Sequence, residues 1–364
     1  MKKITRRDAL RNGTAGLFAV GVAGLAGCTA SIPGMGDDGA TVTNWLANPS
    51  FDDVFVGEEY EEQLDEFEVE DSEVTDLNFD YLVPEAVFDN EQELNGLDLV
   101  ERYGSSLRTT IGVPAMETDW ALEQQTSWSF DYSYEQEFGG GETSQSDDQI
   151  SIETTIIGGS FEPDDVVYEL EEWVEDQYPD GVADERELSS EGEYEGYELY
   201  YLEVQHQAFA INSSHIIEVS GDGNTDSIAA IESVLDTRWD SGADSRWAEG
   251  TDFEDVFAQY DPGHRSRGQL TLEPFSVDDF EGIEEWLDGF IGSITSYEID
   301  GATSDVTQLY AYENERDASV DDLREFVENN RDIGEEFETL EDFSVADEGS
   351  ILVVTGTVRT STID

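Results

Sequence analysis

The sequence predicts an α+β protein: two ferredoxin-like β-α-β-β-α-β units, at 150–245 and 246–364, preceded by a less regular N-terminal region with strands at 45–149. Three observations carry that reading. Period-two and period-3.6 apolar patterns succeed one another in the order strand, helix, strand, strand, helix, strand. The order then recurs: Phe161-x-x-Asp164-Asp165 with Glu171-Glu172-Trp173-Val174 is matched by Phe275-x-x-Asp278-Asp279 with Glu284-Glu285-Trp286-Leu287. Finally, 364 residues are enough for two or three domains.

At the start, Lys2, Lys3, Arg6, Arg7 and Arg11 stand against Asp8 alone, a positive flank that stays on the cytoplasmic side. The apolar run at 14–26 is broken by Gly16, Gly21 and Gly24, and it falls short of the roughly 20 apolar residues that span a bilayer. It reads as an export signal at 1–27. The pair Arg6-Arg7 before so mild a run has the form of a twin-arginine signal, whose translocase exports folded proteins.

Leu25-Ala26-Gly27-Cys28 has the form of a lipoprotein box, and Cys28 is the single cysteine of the chain. A disulfide within the chain is therefore excluded, and the thiol is expected to carry lipid. Each buried methylene contributes about 0.8 kcal/mol and one acyl chain holds only marginally, so a stable anchor implies two. Residues 28–44, small and Gly-rich through Pro33-Gly34-Met35-Gly36, read as a flexible tether.

In the region 45–149, the acid run at 58–73 reads as a solvated segment, 79–83 as a short strand and 91–94 as a helix-like turn. Trp128, Phe130, Tyr132 and Tyr134 alternate with Ser127, Ser129, Asp131 and Ser133, which marks a half-buried strand. Such an aromatic row packs a sheet more often than it stacks on sugars. A hairpin tip follows at Gly139-Gly140-Gly141.

In the first α+β unit, Ile150, Ile152, Thr154 and Ile156 alternate as a strand. Pro163 with Asp164 and Asp165 opens a helix whose stripe is Val166, Val167, Leu170, Trp173 and Val174. Tyr178-Pro179-Asp180-Gly181 ends it. Strands follow at 197–204, 208–211 and 216–219, the last two joined by a tight turn at Asn212-Ser213-Ser214, and Asp226 caps a helix carrying Ile228, Ile231, Val234 and Leu235. In the second unit, strands at 293–300 and 306–313 lead to a helix capped by Ser319 and running through Leu323 and Val327, and a strand at 351–358 closes the chain.

The net charge is −72 at pH 7. Loss of residues 1–27 removes five of the 16 basic residues and one of the 88 acids, which leaves a lysine-free chain at −76. Such self-repulsion opposes folding in dilute buffer, whereas at 1 M salt the Debye length is about 3 Å. With 38% apolar residues, 18 Phe, 15 Tyr and 7 Trp, the chain can build a core, so it reads as folded and halophilic rather than disordered. Nucleic acid is excluded as a partner, because phosphate binding needs basic patches.

The twin-arginine lipobox start resembles that of a family of uncharacterised haloarchaeal lipoproteins. So do Trp45-Leu46-Ala47-Asn48-Pro49, Phe79-Asp80-Tyr81-Leu82, Glu195-Gly196-Tyr197-Glu198-Leu199-Tyr200 and Val353-Val354-Thr355-Gly356-Thr357. The resemblance covers most of the chain after Cys28. It implies location and fold, and it carries over no catalytic residue.

Residues with candidate chemistry are few. His206 and His215 flank a hairpin and would face each other, yet two imidazoles fall short of the three or four ligands of a zinc site. Asp222, Asn224 and Asp226 have the spacing of a calcium loop, but Ser227 stands where glycine is needed and Ser233 where the bidentate Glu belongs. His264, Arg265 and Arg267 gather cationic groups in an acidic chain, either to bind an anion or carboxylate or to pair nearby acids across a turn. No Gly-x-Ser-x-Gly elbow, His-Glu-x-x-His helix or phosphate loop is present. The expected protein is a lipid-anchored extracytoplasmic module, without cofactor, metal or catalytic residue, that binds a partner or serves the envelope. A transporter's solute receptor and a secreted enzyme with an unrecognised site are the alternatives.

Overall fold

The computed structural model describes residues 42–57, 60, 64–94, 118–135, 143–177, 188–239, 246–248, 253–276, 287–329 and 340–363. The signal, Cys28, the expected tether as far as 41, the glycine tip at 139–141, the stop at 178–181 and the helix expected around Glu284 and Trp286 lie outside these residues. At 42–44, counted with the tether, the chain instead forms a 3-10 turn with Val42 buried.

The strands are β1 (Asp65–Leu82), β2 (Thr118–Glu135), β3 (Thr143–Gly159), β4 (Ser189–Tyr194), β5 (Tyr197–Leu202) and β6 (Gln207–Ile211). They continue with β7 (His215–Ser220), β8 (Arg265–Thr271), β9 (Phe290–Glu298), β10 (Thr303–Tyr312), β11 (Glu341–Asp347) and β12 (Ile351–Arg359). Described helices are α1 (Phe51–Val54), α2 (Pro84–Asp89), α3 (Pro163–Gln177), α4 (Ser227–Trp239), α5 (Glu254–Gln259) and α6 (Val320–Asn329). The strands form one large antiparallel sheet in the order β11-β12-β10-β9-β8-β1-β2-β3-β7-β6-β5-β4. Contacts divide the chain into two compact units, one taking in Asn78–Tyr103 and Asp252–Asp364, the other Pro33–Leu77 and Gly104–Thr251.

In the second of these, β2 and β3 pair along their whole length, with Trp128 opposite Ile150 and Leu122 opposite Ile156. Paired residues share a face, so the alternating aromatics and isoleucines build one apolar surface, with serines, glutamines and acids on the other. β3 then pairs with β7 from Glu153 to Gly158, and β7, β6, β5 and β4 follow as hairpins. Asn212 Oδ1 fixes the β6–β7 turn by accepting from Ser214 and His215 N–H, both at 2.8 Å. Asp226 Oδ1 caps α4 by accepting from Ile228 and Ala229 N–H at 3.0 Å. At the other end of α4, Arg246 Nε donates to the Thr237 carbonyl, so a cation meets the negative end of the helix.

In the other unit, α6 lays Leu323, Phe326 and Val327 onto a core with Tyr310 and Tyr312 of β10, Leu352 and Val354 of β12, and Leu82. Ser319 caps α6 by accepting from Asp322 N–H at 3.3 Å. At β8 the lack of a side chain on Gly268 admits Phe79, because a Cβ there would sit 2.0 Å from that ring.

The two ferredoxin-like units are overturned by this sheet. That plan closes each set of four strands into a sheet of its own, whereas the twelve strands here run through one antiparallel sheet whose neighbours are mostly consecutive strands. The strand expected to open the first unit is the second half of β3, already paired to β2 from the region held to be irregular. After α3 the chain goes to the edge strand β4 and returns inward through β5, β6 and β7. After α6 it goes likewise to the edge strand β11 and returns through β12 to pair with β10. Four strands, where that plan has two, separate α3 from α4; apolar alternation reports which face is buried and does not name the neighbouring strand. The acid run is corrected too: from Asp65 onward it belongs to β1, with Phe67 and Val69 half-buried between exposed acids.

Candidate functional site

The histidines serve three separate local structures. His206 lies in the left-handed region (φ 50°) just after a single 3-10 turn, with Nδ1 3.5 Å from the Tyr201 hydroxyl, and its carbonyl accepts from Ser227 Oγ. His215 opens β7. Because Gln207 pairs with Ser220 and Ile211 with Ile216, the two histidines sit at opposite ends of the hairpin, roughly 13 Å apart or more by strand rise. They do not face each other, as the sequence had suggested.

His215 instead joins an aromatic cluster. Its ring centroid is 4.9 Å from Trp45 and 5.9 Å from Trp120, and its Nδ1 lies 3.2 Å from the Tyr197 hydroxyl and 3.3 Å from Arg238 Nη1. Arg238 also donates to Tyr197 at 2.9 Å and stands 4.8 Å over the Trp45 ring. A guanidinium carries only donors, so Nδ1 accepts and the imidazole proton is on Nε2. The cluster fastens Trp45 to β7 and to the end of α4.

Asp222 and Asp226 are engaged in the loop before α4. Asp222 Oδ1 accepts from Asn224 N–H at 2.9 Å, Asp226 caps the helix, and the Asn224 carbonyl accepts from Val56 N–H at 2.8 Å. The calcium-like spacing thus resolves into a turn and a cap. Among the described residues no group of three or more His, Cys, Asp or Glu is placed to hold a metal.

His264, Arg265 and Arg267 lie at and along β8, so the expected turn is a strand. Arg265 is fully buried, and Arg265 Nη2 and Arg267 Nε both donate to Asp80 Oδ2 of β1, at 3.1 and 2.9 Å. The carboxylate that these arginines bind is the chain's own. His264 Nδ1 accepts from Ile299 N–H at 3.0 Å and lies 3.3 Å from Glu298 Oε2. Burial raises the Glu298 carboxyl above its ordinary range, against the opposing pull of His264.

The aromatic row divides along its length. Trp128 and Phe130 are buried, while Tyr132 and Tyr134 are half-buried and in contact with each other. Tyr60 stacks on Phe67 at 5.1 Å, meets Phe130 edge-on at 5.6 Å and packs on Tyr132. It donates its hydroxyl to Asp148 at 2.7 Å, and burial together with that bond raises its pKa. These rings pack on one another as a cluster.

One functional group escaped the sequence reading. Glu218 in β7 is 7% exposed, and desolvation, reinforced by Glu123 and Glu153, pushes its carboxyl up to about 8. Its neighbours Ile217 and Val219 mark the strand but give no sign that the intervening acid is covered.

No protein-family model and no curated protein matches the chain. Among solved structures, three crystal forms of TP0453 resemble it at 9–10% identity, covering 78% of this chain and 89–91% of theirs, with TM-scores of 0.37–0.38. Similarity of that order carries nothing further for this chain. No described helix is long and apolar enough to cross a membrane.

Proposed function

We propose that the chain is a lipid-anchored protein of the outer membrane face of a halophile, exported folded by the twin-arginine translocase, whose body is a non-catalytic binding or envelope module. The observation that carries this reading is Leu25-Ala26-Gly27-Cys28, with the only cysteine, directly after a twin-arginine start. His206, His215, His264, Arg265, Arg267, Asp222 and Asp226 each make contacts within turns, caps or strand pairs, which is the structural part the reading gives them.

The test is fractionation of salt-grown cells expressing Cys28→Ser. The variant is expected in the medium while the parent stays with membranes and gains the mass of its acyl groups; membrane retention of the variant would refute lipidation. Replacement of Arg6 and Arg7 by Lys should leave the precursor inside the cell, and undiminished export would argue for the general secretory route.

A further inference from the structure

We propose that Glu218 is a proton-operated latch that holds β7 in the sheet while its carboxyl is protonated and loosens it on ionisation. Pairing places Glu123, Thr155, Glu218, Phe209 and Tyr200 side by side on one face, across β2, β3, β7, β6 and β5. Glu153, two residues along β3 from Thr155, shares that face. Glu218 is thus a covered acid in a row with two other carboxylates, and Gln207 Nε2, 3.2 Å from its Oε1, supplies a neutral donor.

The groups bearing on it from each neighbouring element are acidic or uncharged. β2 contributes Glu123, β3 contributes Glu153 and β6 contributes the amide of Gln207. On β5 stand Tyr200 and Glu198, which bond to each other, and Asp164 and Glu171 of α3 act on that same tyrosine. A carboxylate in this setting loses its hydration and gains like-charge repulsion, so the neutral acid is the form that the fold accommodates.

The direction follows from linkage. The folded carboxyl binds its proton up to about pH 8, whereas in an opened segment it reverts to the ordinary value of 4.5. Between those limits opening releases one proton, so the latch is fully held below the lower value and is lost as pH rises through the upper one. The opening equilibrium rises about tenfold per pH unit within that window.

Native-state hydrogen exchange on the whole protein in concentrated sodium chloride reads this directly. After correction for intrinsic rates, protection of the Ile216, Ile217 and Val219 amides should fall about tenfold per unit between roughly pH 5.5 and 7.5 in the parent and stay level in Glu218→Gln. Equal slopes in the two proteins would overturn the latch. Should the variant fail to fold, carboxyl carbon NMR of the parent decides: titration of Glu218 near pH 8 supports the latch, and titration near 4.5 refutes it. Glu153→Gln should shift that midpoint downward, and an unchanged midpoint would remove Glu153 from the device.

Discussion

At the scale of single residues, the scarce cations and the smallest side chains hold the decisive positions. Asp80 Oδ2 receives two guanidinium donors, one from fully buried Arg265, so Asp80→Ala would take the carboxylate away from a covered positive charge. Removal of one partner of a buried pair costs about 3–5 kcal/mol. Denaturant unfolding in concentrated salt should show a loss of that order, and a change below about 0.5 kcal/mol would mean that Asp80 is dispensable. Gly158 offers a steric counterpart. A Cβ there would fall 2.1 Å from Nε1 of buried Trp120, so Gly158→Ala should cost about 1–3 kcal/mol through displacement of the ring. The change in indole fluorescence would report the shift, and an unaltered spectrum with unaltered stability would contradict it.

At the scale of elements, helix signals in the sequence were stronger than strand signals. Asp226, Ser319 and Pro163 stand where they were expected, because a cap is a local bond between a side chain and amides two or three positions away. Asp226→Ala should therefore cost about 1 kcal/mol, measured by thermal unfolding, and a neutral result would show that another group satisfies those amides. β4 could not be read, because Ser189-Ser190-Glu191-Gly192-Glu193-Tyr194 is an almost wholly exposed edge strand with no buried face to impose alternation. The start of β1 was misread for a related reason: its acids flank only half-buried apolar residues. Of the site residues, the Asp226 cap was visible locally. The union of Asp80 with Arg265 and Arg267 joins positions 185 and 187 residues apart, and nothing in the sequence pairs them.

At the scale of the whole molecule, two ferredoxin-like units were inferred from an order of elements that the fold does not keep: four strands, β4 to β7, separate α3 from α4. Strand neighbours are set by long-range pairing, which a single sequence does not encode in any local pattern. The charge, by contrast, is fully legible. At −72, or −76 where the proposed signal is removed, the folded body should lose tertiary structure on dialysis into dilute buffer and recover it when sodium chloride is restored. Near-ultraviolet circular dichroism would follow the transition. A spectrum that stays the same at low salt would show that packing outweighs the repulsion.

The arginines give that charge a spatial meaning. Among the described residues Arg246 and Arg265 are buried, so at least these two of the eleven arginines that follow Cys28 are withdrawn from the face that water meets. The outer coat is therefore more lopsided than composition alone records. Even where enough salt is present to keep two such bodies folded, they repel before their surfaces touch, and self-association becomes possible only as further dissolved ions supply the missing countercharge.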